Sequence, residues 1–177
     1  MTSLASRIIE IHRRLDAAGL AHAFGGALAL AWCTERARGT IDIDLNVFVG
    51  VADVDVVVHA LSPSIAAKQG DRSELARDGQ VRLWWDATPV DVFLNTTEFH
   101  EQAADRARWE EFAGESVPFL ACDDLAVFKA FYNRTKDWAD LEEMAAAKTL
   151  DIEKVVGVLA HYLGPQDERI PRLLALA

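Results

Sequence analysis

Leu4, Ile8, Ile11 and Leu15 recur at helical spacing, and Gly19 follows as a stop, so the chain opens with an amphipathic helix. Ala21 to Phe24 reads as a short strand feeding Gly25-Gly26, and the almost continuously apolar run Ala27 to Glu35 as a buried helix. Asp42 to Val49 has the composition of a central strand, and Val51 to Leu61 that of a Val-rich helix, closed by Ser62-Pro63-Ser64. Val81 to Trp85 and Val90 to Leu94 predict two strands joined across Ala87-Thr88-Pro89 as a hairpin-like pair, and Pro118 to Ala121 a short edge strand. From Asp123 the period changes to helical. Asp123 caps a helix through Tyr132, a second runs from about Lys136 to Lys148, Asp151 caps a third, and a tail helix follows Pro165. The class is α/β (α+β), a small mixed sheet flanked by helices with a helical C-terminal part. The boundaries are 1–121 for the core and 122–177 for the helices, which can count as one domain.

Composition narrows the partners. The 177 residues carry a formal net charge of -10, which argues against a nucleic-acid coat while allowing a local basic patch. No apolar run approaches the roughly 18 residues that span a bilayer, and no apolar signal core stands at the N-terminus, so the expectation is a cytoplasmic protein without a membrane partner. Cys33 and Cys122 sit in apolar runs and read as buried thiols rather than a disulfide.

The densest chemistry lies in Thr40-Ile41-Asp42-Ile43-Asp44-Leu45. Carboxylates at i and i+2 share one face of a strand, with Ile41, Ile43 and Leu45 facing a core. Two such anions repel unless a cation sits between them, so the pair asks for a divalent metal. The Gly25-Gly26 turn upstream leads into a helix N-terminus and suits phosphate. Asp91 lies on Val90-Asp91-Val92-Phe93-Leu94, where burial of an acid is costly unless it is paired or binds metal; the bland alternative is a surface acid on an edge strand. With Asp42 and Asp44 it makes a candidate two-metal site. Lys129 sits among Val127, Phe128 and Phe131, either snorkelling or offering a point charge to phosphate. Lys136 and Asp140 are spaced as an i,i+4 surface pair, and Asp137 stands in a first helical turn. Arg38 and Arg134 are candidate phosphate contacts. Trp84, Trp85 and Trp138 read as core.

Three stretches together resemble a known family: Gly25-Gly26-Ala27-Leu28-Ala29-Leu30, Arg38-Gly39-Thr40-Ile41-Asp42-Ile43-Asp44-Leu45, and Asp91. They look like the polymerase-β-type nucleotidyltransferase superfamily. Asp124-Leu125-Ala126-Val127-Phe128-Lys129 followed by Asn133-Arg134-Thr135-Lys136-Asp137-Trp138-Ala139-Asp140-Leu141 is similar to its abortive-infection (AbiEii-like) toxin branch, which includes mycobacterial nucleotidyltransferase toxins. The resemblance implies that Asp42, Asp44 and Asp91 bind Mg2+, with Mn2+ as a substitute. It also implies that Gly25 and Gly26 contact phosphate, that Lys129 holds the triphosphate, and that Lys136 and Asp137 complete the pocket. Gly26 stands where the superfamily usually has serine.

The expected activity is metal-dependent transfer of a nucleoside monophosphate from an NTP to an acceptor hydroxyl, releasing pyrophosphate. The catalytic set is Asp42, Asp44, Asp91, Lys129 and Asp137; the nucleotide-binding set is Gly25, Gly26, Thr40, Lys129, Arg134 and Lys136. The resemblance implies a toxin modifying tRNA 3′ ends under control of a cognate antitoxin. Thr40, placed on the same strand face as Asp42 and Asp44, is a candidate for inhibitory phosphorylation. The alternatives are transfer to an aminoglycoside-type small molecule or to a protein, and a non-catalytic nucleotide-binding module.

Overall fold

The computed structural model describes residues 3–177. Its first half runs α1 (Leu4–Ala17), β1 (His22–Phe24), α2 (Gly26–Thr34), β2 (Ile43–Gly50), a 3-10 turn (Val51–Asp53), α3 (Val54–Ala60), α4 (Gln69–Asp78) and β3 (Gln80–Trp85). The second half runs β4 (Thr88–Asn95), α5 (Glu98–Gln102), a 3-10 turn (Ala103–Arg106), β5 (Arg108–Phe112), β6 (Glu115–Phe119), α6 (Cys122–Tyr132), α7 (Thr135–Ala146), α8 (Ile152–Leu163) and α9 (Arg169–Leu174). Two compact units result. One holds the residues up to Leu28 together with Gly39–Leu120; the other holds Ala29–Arg38 together with Ala121–Ala177.

The first unit is built on a mixed six-stranded sheet in the order β3-β4-β2-β1-β6-β5. Strands β2 and β4 are parallel, whereas β1–β2, β3–β4 and β5–β6 are antiparallel. Ile43, Leu45 and Val47 on β2 and Val90, Val92 and Leu94 on β4 are buried, because strand alternation sends one set of side chains to the core. The hydrophobic stripe of α1, Ile8, Ile11 and Leu15, is buried as its period predicts.

Several expectations need correction here. The hairpin turn is Asp86-Ala87, not Ala87-Thr88-Pro89, because Trp85 pairs with Thr88 and Trp84 with Pro89. Asp86 takes φ 52° at that turn, and the buried Arg7 holds it through a 2.8 Å contact to its carboxylate. The segment foreseen as an edge strand is β6, which lies between β1 and β5. Helix α4 escaped notice because only Leu75 on it is buried, leaving no hydrophobic period to read. Strand β5 escaped for a related reason: it is a polar edge without buried positions.

In the second unit α6 ends at Asn133, which takes the left-handed φ of 57° that closes a helix. Trp138 is buried, donates from Nε1 to Asn133 Oδ1 at 2.7 Å, and is covered by the Arg172 guanidinium 3.9 Å from its ring centre. Asp151 caps α8 by accepting from the Lys154 amide. Asp123 is not a cap; it lies inside the first turn of α6 and pairs with Lys154. Cys33 and Cys122 are not free thiols but a disulfide, with Cα atoms 5.6 Å apart. Of the three tryptophans read as core, Trp85 and Trp138 are buried and Trp84 is 52% exposed. Among the described residues, no helix is long and apolar enough to cross a membrane.

Candidate functional site

The β-strand register builds a polar row across the sheet unit. Asp44 on β2 lies directly beside Asp91 on β4, and Asp91 lies directly opposite Arg82 on β3. Cross-strand partners project from the same face, so these side chains converge. At the other end of the row the Gly25 amide donates to the Asp44 carbonyl at 2.9 Å. Strand β4 lies inside the sheet, which removes the reading of Asp91 as an edge acid.

Arg82 grips Asp91 with a planar fork, Nε on Oδ1 and Nη2 on Oδ2, each at 2.7 Å. The same Nη2 lies 3.9 Å from Asp42 Oδ2. One guanidinium thus serves three carboxylates: its hydrogen bond to Asp91, and beyond that the charges of Asp91, Asp42 and Asp44, raise its pKa above the ordinary arginine value. Three carboxylates supply hard oxygen donors of the kind Mg2+ and Mn2+ take, so the donor set fits a divalent cation. Among the described residues, however, no group of three His, Cys, Asp or Glu side chains is placed so that it could hold a metal ion. Sequence reasoning missed Arg82. The signal was available in the hairpin: a two-residue turn at Asp86-Ala87 sets Arg82 opposite Asp91, whereas the later turn assumed from sequence does not.

The glycine pair has a specific steric reason. Gly26 takes φ +54°, and a Cβ built there would stand 1.8 Å from Asp44 Oδ2. A side chain at 26 and the Asp44 carboxylate in this position exclude each other, which accounts for glycine at this place. Gly25 is tight as well, with Asn46 Nδ2 at 3.1 Å and Leu120 Cδ1 at 3.2 Å from a Cβ. Gly26 begins α2, whose first turn carries no acid, so the positive end of the helix meets the Asp44 carboxylate.

Thr40 and Ile41 do not continue β2. The strand starts at Ile43, and Ile41 is 73% exposed rather than turned into the core. The Thr40 hydroxyl accepts from the Asp42 amide at 3.2 Å and lies 3.3 Å from the Asp42 carbonyl, a local turn that competes with extended pairing. Asp42 too stands one residue before the strand, so of the two carboxylates expected on one strand face only Asp44 lies on β2, and Thr40 shapes the turn that leads to them.

In the helical unit the sequence motif forms a second charged cluster. Lys129 Nζ lies 2.6 Å from Asp140 Oδ2 and 3.9 Å from Asp137 Oδ1. Arg38 Nη1 donates to Asp140 Oδ1 at 2.8 Å. Arg134 forks onto Asp137 through Nε at 2.6 Å and Nη2 at 3.1 Å, while the Arg134 amide donates to Asp137 Oδ2 across the first turn of α7. Asp137 and Asp140 are almost wholly buried and Lys129 is nearly so, whereas Arg38 and Arg134 are half exposed. Burial works to raise the Asp140 pKa, but the hydrogen bonds from Arg38 and Lys129 outweigh it and hold the carboxyl below its usual range. Asp140 takes Arg38 and Lys129 as partners, so the i,i+4 reading with the exposed Lys136 does not hold.

Solved structures place this architecture in a class. The solution structure of the antibiotic-resistance factor ANT(2'')-Ia is similar with TM-score 0.63 at 16% identity, covering 97% of this chain and 94% of that one. A crystal structure of ANT(2'')-Ia in complex with adenylyl-2''-tobramycin gives TM-score 0.60 at 16% identity, over 89% and 95% of the two chains. An antigenic nucleotidyltransferase-like protein from Paracoccidioides brasiliensis gives 0.56 at 15%, over 98% and 91%. The fold is that of the nucleotidyltransferases. No protein-family model and no curated protein sequence matches the chain.

Proposed function

We propose that this protein is a metal-dependent nucleotidyltransferase that moves a nucleoside monophosphate from an NTP to an acceptor hydroxyl. The observation that carries the reading is the row Gly25, Asp44, Asp91, with Asp42 at its edge. A divalent cation bound there would neutralise the carboxylates and polarise the phosphoryl oxygens. The chain's own residues would hold the nucleotide: Gly25 and Gly26 allow close backbone approach of phosphate at the start of α2, and Thr40 shapes the entry to Asp42. The acceptor oxygen attacks the α-phosphorus, pyrophosphate leaves, and the hydroxyl proton is taken up at the carboxylate cluster. Lys129, Arg134, Lys136 and Asp137 are assigned to the nucleotide on the strength of the sequence resemblance. In support, Lys129, Arg38 and Arg134 gather at this cluster, and cationic donors of this kind suit polyphosphate.

For the acceptor we favour a cationic small molecule of the amino-sugar type. Its support is electrostatic: the chain carries -10, which attracts a polycation and repels RNA. ANT(2'')-Ia, similar in fold, forms an adenylyl-2''-tobramycin complex. The Lys129 to Asp140 motif supports a second reading, a tRNA-modifying toxin with an antitoxin partner in the cytoplasm. Incubation with each α-labelled NTP, Mg2+, an aminoglycoside panel and total RNA separates the two. Label on an aminoglycoside is the expected result. Label on tRNA 3′ ends moves the assignment to the toxin branch, and no transfer to any acceptor, with no NTP binding, overturns the enzyme.

A further inference from the structure

We propose that Arg82 is a displaceable counter-ion: it holds Asp91 while the carboxylate cluster is empty of metal and gives way when a divalent cation loads. This rests on the reading of Asp42, Asp44 and Asp91 as a metal site, and it adds a residue that neither the sequence motifs nor the fold class assigns.

The position of Arg82 is built rather than incidental. The tight turn at Asp86-Ala87 fixes the β3–β4 register, and alternation along β3 buries Val81, Leu83 and Trp85 while Gln80, Arg82 and Trp84 take the other face. Arg82 is thereby committed to the acid row. Its fork uses both oxygens of Asp91 at once, so Asp91 cannot turn those lone pairs to a metal without releasing the guanidinium. The remaining contact, 3.9 Å to Asp42, is a charge interaction without hydrogen-bond geometry.

Charge and exposure then decide the direction. A dication supplies twice the charge of the guanidinium to the same carboxylates, and their hard oxygens suit it. The Arg82 side chain is 51% exposed, so its release into water is cheap, as for other half-exposed ion pairs. Once released, Arg82 remains tethered to β3 beside the row, where its planar donors match phosphate oxygens. The same residue thus guards the acids from mutual repulsion without metal and offers an anion contact with metal and nucleotide present.

Mn2+ binding measured by electron paramagnetic resonance, together with thermal midpoints of the metal-free proteins, tests this on wild type, Arg82→Gln, Arg82→Lys and Asp44→Asn. Arg82→Gln should bind Mn2+ about tenfold tighter, the size expected for removing one charge-assisted competitor. Its metal-free midpoint should fall, and Mn2+ should raise it by more than in wild type. Arg82→Lys, which keeps the charge and loses the fork, should bind with intermediate affinity and guards against a folding failure in the glutamine variant. Equal or weaker Mn2+ binding by Arg82→Gln overturns the proposal. If wild-type binding is lost in Asp44→Asn while Arg82→Gln matches wild type, the metal site stands and the counter-ion role alone falls. No Mn2+ binding by any of the four proteins overturns both.

Discussion

The two charged clusters of this protein solve the same electrostatic problem in opposite ways. In the sheet unit, the partly exposed carboxylates of Asp42 and Asp91 share the half-exposed Arg82 guanidinium. In the helical unit, two almost wholly buried carboxylates are met by Lys129, Arg38 and Arg134. Deep burial demands that each acid be answered within the protein, because an uncompensated buried charge costs several kcal/mol. Partial exposure relaxes that demand, and the sheet carboxylates stay open to solvent and to an incoming cation. The helical cluster is therefore the stability-critical one, and the sheet cluster the chemically available one.

The largest expected break in this contrast is Asp140→Ala. It strands Lys129, which is 8% exposed, without its 2.6 Å partner, and should cost about 3–5 kcal/mol in denaturant unfolding. The double variant Asp140→Ala/Lys129→Met removes both charges and should recover most of that loss. A cost under about 1 kcal/mol for Asp140→Ala, the range of exposed ion pairs, would show that the cluster is solvated instead.

Acid sharpens the comparison from the other side. The sheet unit buries His22 and His100, and burial first of all pushes both imidazoles down to about 4. Their unfolded counterparts titrate near 6.5, so the unfolded chain binds more protons between these values, and stability is lost as pH falls through that window. Each histidine contributes on the order of 3 kcal/mol when the window is crossed completely. Asp140, held low by Arg38 and Lys129, loses its contribution only below the ordinary carboxylate range. Thermal melts from about pH 7 to pH 4 should therefore fall in the histidine window, and His100→Asn should flatten the curve. A flat wild-type profile would contradict the neutral, buried assignment.

The smallest effect is steric. Gly26→Ala places a methyl group at a positive φ and against the Asp44 carboxylate, at a cost of about 1–2 kcal/mol for the backbone alone. Asp44 must shift to admit it, so transfer activity should fall by more than the stability loss accounts for. Activity equal to wild type would separate Gly26 from the working position of Asp44.

The sheet's acids were largely legible in the sequence as polar residues set among strand-forming apolar ones, although Asp42 stands just before β2 and only Asp44 and Asp91 are paired across strands. Asp42, Asp44 and Asp91 could be singled out before any strand was paired. Arg82 could not, since its place depends on a turn whose start was misread by one residue, and register propagates such an error along the whole hairpin. Thr40 and Ile41 failed for a different reason: a hydroxyl-to-backbone turn ended the strand earlier than propensity suggests. In the helical unit the residues were identified and their partners were not. Arg38 meets Asp140 across 102 positions of sequence, and Cys33 meets Cys122 across 89, separations at which spacing carries no pairing information.

The central claim is that the carboxylates of the sheet unit do the chemistry. The most direct test compares label transfer from α-labelled NTP by wild type and Asp44→Ala, each first shown to be folded by its thermal midpoint. Removing one of three mutually repelling acids should leave that midpoint unchanged or raised, while transfer falls by at least about a hundredfold through loss of metal-assisted charge stabilisation. Transfer by a folded Asp44→Ala at a rate near that of wild type would contradict the account.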